Sequence, residues 1–222
     1  MHSPHSDHTT NSAFYDRISK AYDLIADASE HSYRQQGITA LELKPGSRVL
    51  EIGFGTGNGL IELLESMEGN GTITGLDIST GMRDVALNKI KSKKLTDSID
   101  LVIGTALELP FPANSFDAIF ISFTLELFED TDIPNVLSEI RNVLKPGGRL
   151  GVVGLSLPPA GEPTSLMTRG YQWFHRHFPH IADCKPIPIK EVIEEAGFII
   201  VKNEIKSMWG MEVAVSVALK PN

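Results

Sequence analysis

The sequence predicts an α/β domain with a mostly parallel, seven-stranded sheet, helices on both faces and an antiparallel hairpin at its C-terminal edge. Three observations support this prediction. Short apolar segments alternate with helix-like segments from residue 48 onward. The first apolar segment ends in a run of glycines. The segment 116–123 is apolar almost throughout, which is typical of a central strand that is covered on both faces.

The N-terminal part is predicted to form a flexible tail and a helical cap. Residues 1–12 are rich in His, Ser and Thr and carry no apolar stretch. Residues 13–43 place apolar side chains at helical spacing, for example at Phe14, Ile18 and Tyr22. Lys44-Pro45-Gly46 ends the helix, so residues 44–222 are assigned to the core domain.

The core is predicted to alternate strands and helices. Five strands are expected at Val49–Ile52, Thr72–Asp77, Ile99–Ile103, Phe116–Phe123 and Arg149–Leu155. Helices are expected at Asn58–Met67, from the N-cap residue Ser79 to about Lys93, and at 131–144. The segment Lys145-Pro146-Gly147-Gly148 is predicted to end the last of these helices.

The C-terminal part does not continue the alternation of strands and helices. Residues 156–187 are rich in proline, histidine and aromatic residues, and we predict that they form a lid over the substrate. A short helix at Ile189–Ala196 follows, and Gly197 closes it. Two strands, Phe198–Ile205 and Met211–Leu219, are expected to pair antiparallel at the sheet edge, with 207–210 joining them.

Composition excludes several classes of protein. The chain of 222 residues has 28 acidic and 20 basic side chains, so a formal charge of −8 argues against direct nucleic-acid binding. Cys184 is the only cysteine, which excludes a disulfide framework within the chain. No apolar run is long enough to span a bilayer, and the first residues do not resemble a secretory signal. A cytoplasmic location is therefore predicted.

The strongest local signal is the glycine loop after the first strand. Counting from Gly53, the loop gives Gly53, Gly55 and then Asn58, so it misses the G-x-G-x-x-G pattern of dinucleotide sites. The loop also lacks the lysine of a Walker loop. Asp77 ends the second strand about 24 residues after Gly53, where an acid can accept hydrogen bonds from both ribose hydroxyls of an adenosine. A surface Asp that caps the next helix remains the alternative.

These motifs resemble those of class I S-adenosylmethionine-dependent methyltransferases. The resemblance covers residues 45–155 and rests on Val49–Gly57, Gly75–Ser79, Leu109–Pro112 with Ser115–Ile119, and Leu144–Leu150. The opening Phe14–Asp23 further resembles the subgroup that methylates ubiquinone and menaquinone precursors. The resemblance implies a Rossmann-like fold, S-adenosyl-L-methionine as cofactor and S-adenosyl-L-homocysteine as its product.

The resemblance also implies roles for individual residues, all of them predictions here. The methionine part of the cofactor would contact Glu51, Gly53, Gly55, Gly57 and the Ser122 carbonyl, and Tyr22 would close over it. The ribose would bind Asp77, and the adenine would lie between Ile78 and Met82, near Thr105, Ala106 and Leu107. Thr105 departs from the family, which often has Asp at this position, so weaker selection for adenine is expected.

Few side chains are candidates for proton transfer. Tyr171, His175 and His177 lie in the predicted lid, and Glu126 follows the fourth strand. An amphipathic helix with exposed histidines is the alternative explanation of the lid sequence. We predict no metal site, because the spacing of His175, His177, His180 and Cys184 fits no helix face well.

The predicted function is methyl transfer to a small or lipid-like acceptor, such as a quinol precursor or a phospholipid head group. The alternatives are a cofactor-sensing or partner-dependent module and, less favoured by the glycine spacing, an NAD-dependent oxidoreductase. Peripheral membrane contact and a homodimer through the edge Met211–Leu219 are left open.

Overall fold

In the computed structural model, residues 30–158 and 185–222 are described. Residues 30–41 are helical and are called α1. The elements that follow are β1 (Arg48–Ile52), α2 (Asn58–Ser66), β2 (Thr72–Asp77), α3 (Thr80–Ser92), β3 (Ile99–Ile103), β4 (Phe116–Ser122), a 3-10 helix (Leu125–Leu127), α4 (Ile133–Val143), β5 (Leu144–Leu155), α5 (Ile189–Glu195), β6 (Ile199–Met208) and β7 (Met211–Leu219).

The strands form one seven-stranded sheet in the order β3-β2-β1-β4-β5-β7-β6. Strands β1 to β5 are parallel, and β7 pairs antiparallel with both β5 and β6. The predicted mostly parallel α/β fold with a C-terminal antiparallel hairpin is therefore confirmed. Because β2 and β4 flank β1 on opposite sides, the chain direction across the sheet reverses beside β1, and ligands of such sheets bind at that point.

Two apolar cores cover the two faces of the sheet. Among the described helices, α1, α2 and α3 pack on one face and α4 and α5 on the other. Strand β4 lies in the middle of the sheet, and its side chains point alternately into the two cores. Phe120 faces the core under α1, α2 and α3, and Ile119 and Ile121 face the core under α4 and α5. This two-sided burial explains the continuous apolar run that predicted a central strand.

Helix α1 lies close against the sheet. A Cβ at Gly37 would collide with the side chains of Val153 and Phe120, so glycine allows this approach. Arg34 is only 6% exposed, and its guanidinium binds the Glu62 carboxylate of α2 with Nη2–Oε1 at 2.9 Å and Nε–Oε2 at 3.1 Å. The α1 helix is therefore fixed to the helix that follows the glycine loop.

The structure corrects the predicted edge of the sheet. Strand β7 lies between β5 and β6, so Met211–Leu219 is not an edge strand and β6 carries the free edge. Strand β6 also extends to Met208, leaving only Trp209 and Gly210 in the turn, with φ of 52° and 81°. Two positive φ values suit the twist of a two-residue hairpin, which shortens the predicted loop.

A second correction concerns the segment before β5. Lys145–Gly148 is predicted as a turn, but it is part of β5, which begins at Leu144. The register jumps from Phe116 opposite Leu144 to Ala118 opposite Arg149, so the extra residues bulge out of the pairing. Gly147 N–H donates to Lys220 O (2.9 Å), and Lys220 N–H donates to Gly148 O (3.0 Å). These hydrogen bonds, between residues far apart in the sequence, join the segment to the sheet.

Candidate active site

The glycine loop connects β1 to α2 at the carboxyl edge of the sheet. Gly53, Gly55 and Gly57 have φ of 75°, 50° and 80°, a region that favours glycine. A Cβ at Gly53 would collide with the Thr124 side chain, so this loop packs directly against the segment after β4. Among the described residues, no atom lies within 4 Å of a Cβ placed at Gly55. The described part of the chain therefore leaves space beside the Gly55 backbone.

Asp77 fastens the glycine loop to the end of β2. Its Oδ2 accepts from Gly55 N–H (2.9 Å), and its Oδ1 accepts from Ser79 N–H (2.8 Å). Ser79 itself caps α3 by accepting from Met82 N–H (3.2 Å), as predicted. The helix is thus capped by Ser79, and Asp77 is not its cap. Because each carboxylate oxygen has two lone pairs, Asp77 can accept two more hydrogen bonds.

Apolar side chains lie exposed beside Asp77. Ile78 is 76% exposed and Ile103, the last residue of β3, is 40% exposed. Met82 is half-buried one turn into α3. Across the loop after β3, Thr105 Oγ1 accepts from Leu107 N–H (3.2 Å), and Ala106 is buried. Apart from buried Ala106, the predicted adenine-contacting residues are thus exposed or half-buried, and they lie in the segments that follow the neighbouring strands β2 and β3.

The segment after β4 completes this edge. Ser122 O accepts from the Thr124 hydroxyl (2.9 Å), and Phe123 between them has φ of 49°. The strained backbone at Phe123 turns the chain sharply, which brings Thr124 against Gly53. No single-sequence signal indicated this contact, because Thr124 is 71 positions away from Gly53 in the chain.

Glu51 lies at the end of β1, buried under the glycine loop. It is 3% exposed, and a Cβ at Gly59 would collide with its carboxylate. Its Oε2 has no hydrogen-bond partner among the described residues. Burial raises the pKa of Glu51 to about 8; Arg34 opposes this rise, and Glu62 and Asp77 add to it. The carboxyl is therefore mostly neutral at pH 7 and has an unused oxygen.

This pKa makes folding stability depend on pH. Because the folded pKa is raised above the usual 4.5, the stability that Glu51 contributes is complete below about pH 4.5 and is lost as the pH rises through about 8. We expect Glu51→Gln to flatten this loss and to be several kcal/mol more stable than the wild type at pH 9. Urea unfolding at pH 5, 7 and 9 measures the free energy of unfolding of both proteins. Glu65→Gln on the exposed surface of α2 is the control. An E51Q curve parallel to the wild type would contradict the burial effect.

The structure brings most of the predicted cofactor residues to one edge of the sheet. Those placed there lie at the carboxyl ends of β1, β2 and β4, in the loops that follow β1 to β3, or in the first turn of α3: Glu51, Gly53, Gly55, Gly57, Asp77, Ile78, Met82, Thr105, Ala106, Leu107 and Ser122. Tyr22 and the lid candidates Tyr171, His175 and His177 lie outside the described residues, as do His180 and Cys184. Sequence reasoning missed Thr124 and the Arg34–Glu62 pair, because both depend on contacts across the fold.

Comparisons with known proteins identify the family of the chain. A family model described as a methyltransferase domain matches residues 49–148. A demethylmenaquinone methyltransferase of Listeria monocytogenes is 30% identical over 213 residues, covering 85% of this chain and 86% of that protein. The demethylmenaquinone methyltransferase of Lactobacillus johnsonii is 32% identical over 173 residues, covering 76% and 68%.

A solved structure shows the same fold. An S-adenosylmethionine-dependent methyltransferase from Aquifex aeolicus superposes with a TM-score of 0.61 at 19% identity, over 84% of this chain and 88% of that one. The family model and the relatives, together with the fold, show a class I methyltransferase with S-adenosyl-L-methionine as methyl donor. The chain belongs to the methyltransferase family that contains the demethylmenaquinone methyltransferases.

Proposed function

We propose that this methyltransferase acts on a quinol-type aromatic acceptor with an apolar tail, of the demethylmenaquinone class. The similarity to demethylmenaquinone methyltransferases, which extends over most of both chains, carries this proposal. The sequence Ile121–Phe128, at the end of β4 and just beyond it, lacks the Asn-Pro-Pro-Tyr type motif of amide methylation. A phospholipid head group is the less favoured acceptor.

The site has the features that the donor requires. The donor brings a cationic sulfonium, an ammonium, a ribose and an adenine. Asp77 has spare acceptor capacity for the ribose hydroxyls. The unpartnered Glu51 Oε2 and the Ser122 carbonyl suit an ammonium. The exposed face of Ile78 suits adenine. Gly55 leaves space for close approach of the methionine part.

The remaining roles follow the same proposal. Gly53 and Gly57 shape the loop, Met82 covers the second face of the adenine, and Thr105, Ala106 and Leu107 line its edge. Tyr22 would cover the donor. Thr105 already accepts a bond from Leu107 N–H, so its hydroxyl oxygen has less capacity for the adenine amino group than a carboxylate. Weaker adenine selection therefore remains our expectation.

The donor supplies an activated methyl group. The protein's own contribution is to hold the acceptor in line and about 3 Å from that methyl, and to keep water away. The two ends of the inserted segment meet where Ser156 and Ile187 form a parallel bridge, next to the carboxyl end of β5. Its predicted role as a lid, with Tyr171, His175 and His177 as bases, remains a proposal.

A direct assay tests the acceptor. The purified chain is incubated with the donor and a short-chain demethylmenaquinol under reducing conditions, and products are followed by mass spectrometry. We expect methylated quinol and S-adenosylhomocysteine in equal amounts, and no product from phosphoethanolamine or sarcosine. Donor binding without turnover on any acceptor would favour a cofactor-sensing module. Binding of NAD instead of the donor would favour an oxidoreductase.

The proposal also covers the location of the enzyme, its contact with membranes and its oligomeric state. None of the described helices has the length and apolarity needed to cross a bilayer. An acceptor with an isoprenoid tail partitions into membranes, so peripheral membrane contact and a cytoplasmic location are proposed together. A homodimer through a sheet edge remains a prediction, and the structure moves the candidate strand from β7 to β6.

A further inference from the structure

Thr124 connects the end of β4 to the glycine loop after β1. It lies two residues beyond β4, and its hydroxyl donates to Ser122 O at 2.9 Å. A Cβ at Gly53 would collide with Oγ1, Cγ2 and Cβ of Thr124, so the same side chain packs directly on the glycine loop. One threonine therefore contacts both the carbonyl proposed for the donor ammonium and the loop proposed for the methionine part.

The hydroxyl of Thr124 is not used to cap the helix that begins there. Thr124 is the N-cap residue of the 3-10 helix Leu125–Leu127, a position where a threonine side chain usually accepts from a backbone N–H of the first turn. Its side chain makes no such bond to the residues of this helix, although its carbonyl accepts from Leu127 N–H at 3.1 Å. The hydroxyl turns back to Ser122 instead, so the side chain holds the end of β4.

The backbone between Ser122 and Thr124 is held in an unfavourable conformation. Phe123 has φ of 49°, a region that bulky residues rarely adopt. Its N–H donates to Val153 O of β5 at 2.7 Å, so the chain stays bonded to the sheet up to Phe123 and turns there. The turn brings the Thr124 hydroxyl back to the Ser122 carbonyl. Strained backbone of this kind persists where surrounding contacts fix it, and it is common at ligand sites.

The Ser122 carbonyl keeps the capacity to bind a ligand. A carbonyl oxygen has two lone pairs, and the Thr124 hydroxyl uses one of them. Ser122, Thr124 and Gly53 are all half-buried, and β4 lies next to β1 where the chain direction across the sheet reverses. An ammonium bound to the second lone pair would therefore depend on the direction in which Thr124 holds this carbonyl.

We propose that Thr124 is a positioning residue for the donor: its hydroxyl fixes the Ser122 carbonyl, and its packing on Gly53 fixes the glycine loop. This inference rests on the contact between the Ser122 carbonyl and the donor ammonium, which belongs to the proposed function. Without the hydroxyl, the carbonyl is no longer held toward the ammonium. Affinity for the ammonium should therefore fall, and affinity for the rest of the donor should stay the same.

Two substitutions separate the hydroxyl from the packing. Thr124→Val keeps a branched side chain against Gly53 and removes the hydroxyl, whereas Thr124→Ser keeps the hydroxyl and removes the methyl group. Thr39→Val is the matched control, because the Thr39 hydroxyl also donates to a backbone carbonyl, that of Gln35 at 2.8 Å, on the exposed side of α1. Thermal unfolding establishes that the variants are folded.

The probes are S-adenosylhomocysteine and an analogue of it that lacks the amino group. Calorimetry measures the binding of each and needs no acceptor. We expect the wild type to bind S-adenosylhomocysteine about tenfold or more tightly than the analogue. T124V should bind S-adenosylhomocysteine about tenfold more weakly than the wild type does, and the analogue within about twofold, so its ratio of affinities falls by about tenfold. T124S and T39V should keep the wild-type ratio.

The ratio of the two affinities is decisive, because a loosened fold weakens both ligands alike and leaves the ratio unchanged. A T124V ratio within about threefold of the wild-type ratio, or a T124S ratio as low as that of T124V, would overturn the role of Thr124. If the wild type binds both ligands equally, the proposed ammonium contact fails and takes this role with it. If the wild type and T124V discriminate alike, the ammonium contact stands and only the role of Thr124 fails.

Discussion

Asp77→Ala is expected to weaken S-adenosylhomocysteine binding about a hundredfold or more. Two hydrogen bonds from ribose hydroxyls to a carboxylate contribute roughly 1.5 kcal/mol each, and about 3 kcal/mol corresponds to two decades in Kd. The Asp77 carboxylate also holds Gly55 N–H at 2.9 Å, so its loss loosens the loop as well as the ribose contact. Isothermal titration calorimetry measures the change.

A modified ligand separates the two effects of Asp77. An analogue of S-adenosylhomocysteine without ribose hydroxyls should bind the wild type about a hundredfold more weakly than the natural ligand does, which is the part of the D77A loss that comes from the ribose contact. The D77A variant should hardly distinguish the two ligands, as a double-mutant cycle requires for a direct contact. Asp100→Ala, an exposed acid on the neighbouring β3, is the control. Equal discrimination by D77A and the wild type would limit Asp77 to fastening the loop.

Gly53→Ala should produce the largest combined loss, of both stability and binding. At φ of 75°, an alanine is strained by about 1–2 kcal/mol, and its Cβ would collide with Thr124. Displacing a packed side chain adds roughly 1–3 kcal/mol. We therefore expect a loss of about 2–5 kcal/mol in the free energy of unfolding, with S-adenosylhomocysteine binding too weak to measure.

Two further glycines serve as controls for this prediction. Gly46 has φ of 87°, and no atom of the described residues lies within 4 Å of a Cβ placed there, so Gly46→Ala has the backbone strain alone and should bind normally. In Gly55→Ala the new Cβ meets no atom of the described residues but would fill the space proposed for the donor, so this variant should lose binding with only the strain cost in stability. Urea unfolding and calorimetry are applied to all three. A G55A variant with unchanged affinity would place the donor elsewhere.

The sequence predicted the order of strands and helices because each is encoded locally. Apolar residues at strand or helix spacing set the elements, and glycine, proline and Ser79 set most of their ends. The glycine loop and Asp77 were recognisable for the same reason, since their residues lie at the ends of predicted strands. Parallel strands end at one edge, so the four loops that carry the cofactor residues were expected to meet.

The predicted elements were wrong where the backbone hydrogen bonds come from segments that are far apart in the sequence. The composition of Lys145–Gly148 predicts a turn, but backbone hydrogen bonds to Lys220 make the segment part of β5. Met211–Leu219 was assigned to the edge, but β7 is inserted between β5 and β6, an arrangement that no local pattern encodes. In both places the backbone groups of the sheet must find partners, and which partner is nearest is decided only by the assembled fold.

The sequence by itself thus determined the class of fold, the glycine loop after β1 and the acidic residue Asp77 at the end of β2. Only the tertiary structure decided that Asp77 bonds the glycine loop and that Thr124 packs on Gly53. It also decided that Glu51 and Glu126 are buried, each with one oxygen that has no hydrogen-bond partner in the described part of the chain. Burial and hydrogen bonding depend on residues that are far apart in the chain, such as Glu126 and Leu155 at a separation of 29. They are therefore properties of packing, which a pattern along the sequence cannot show.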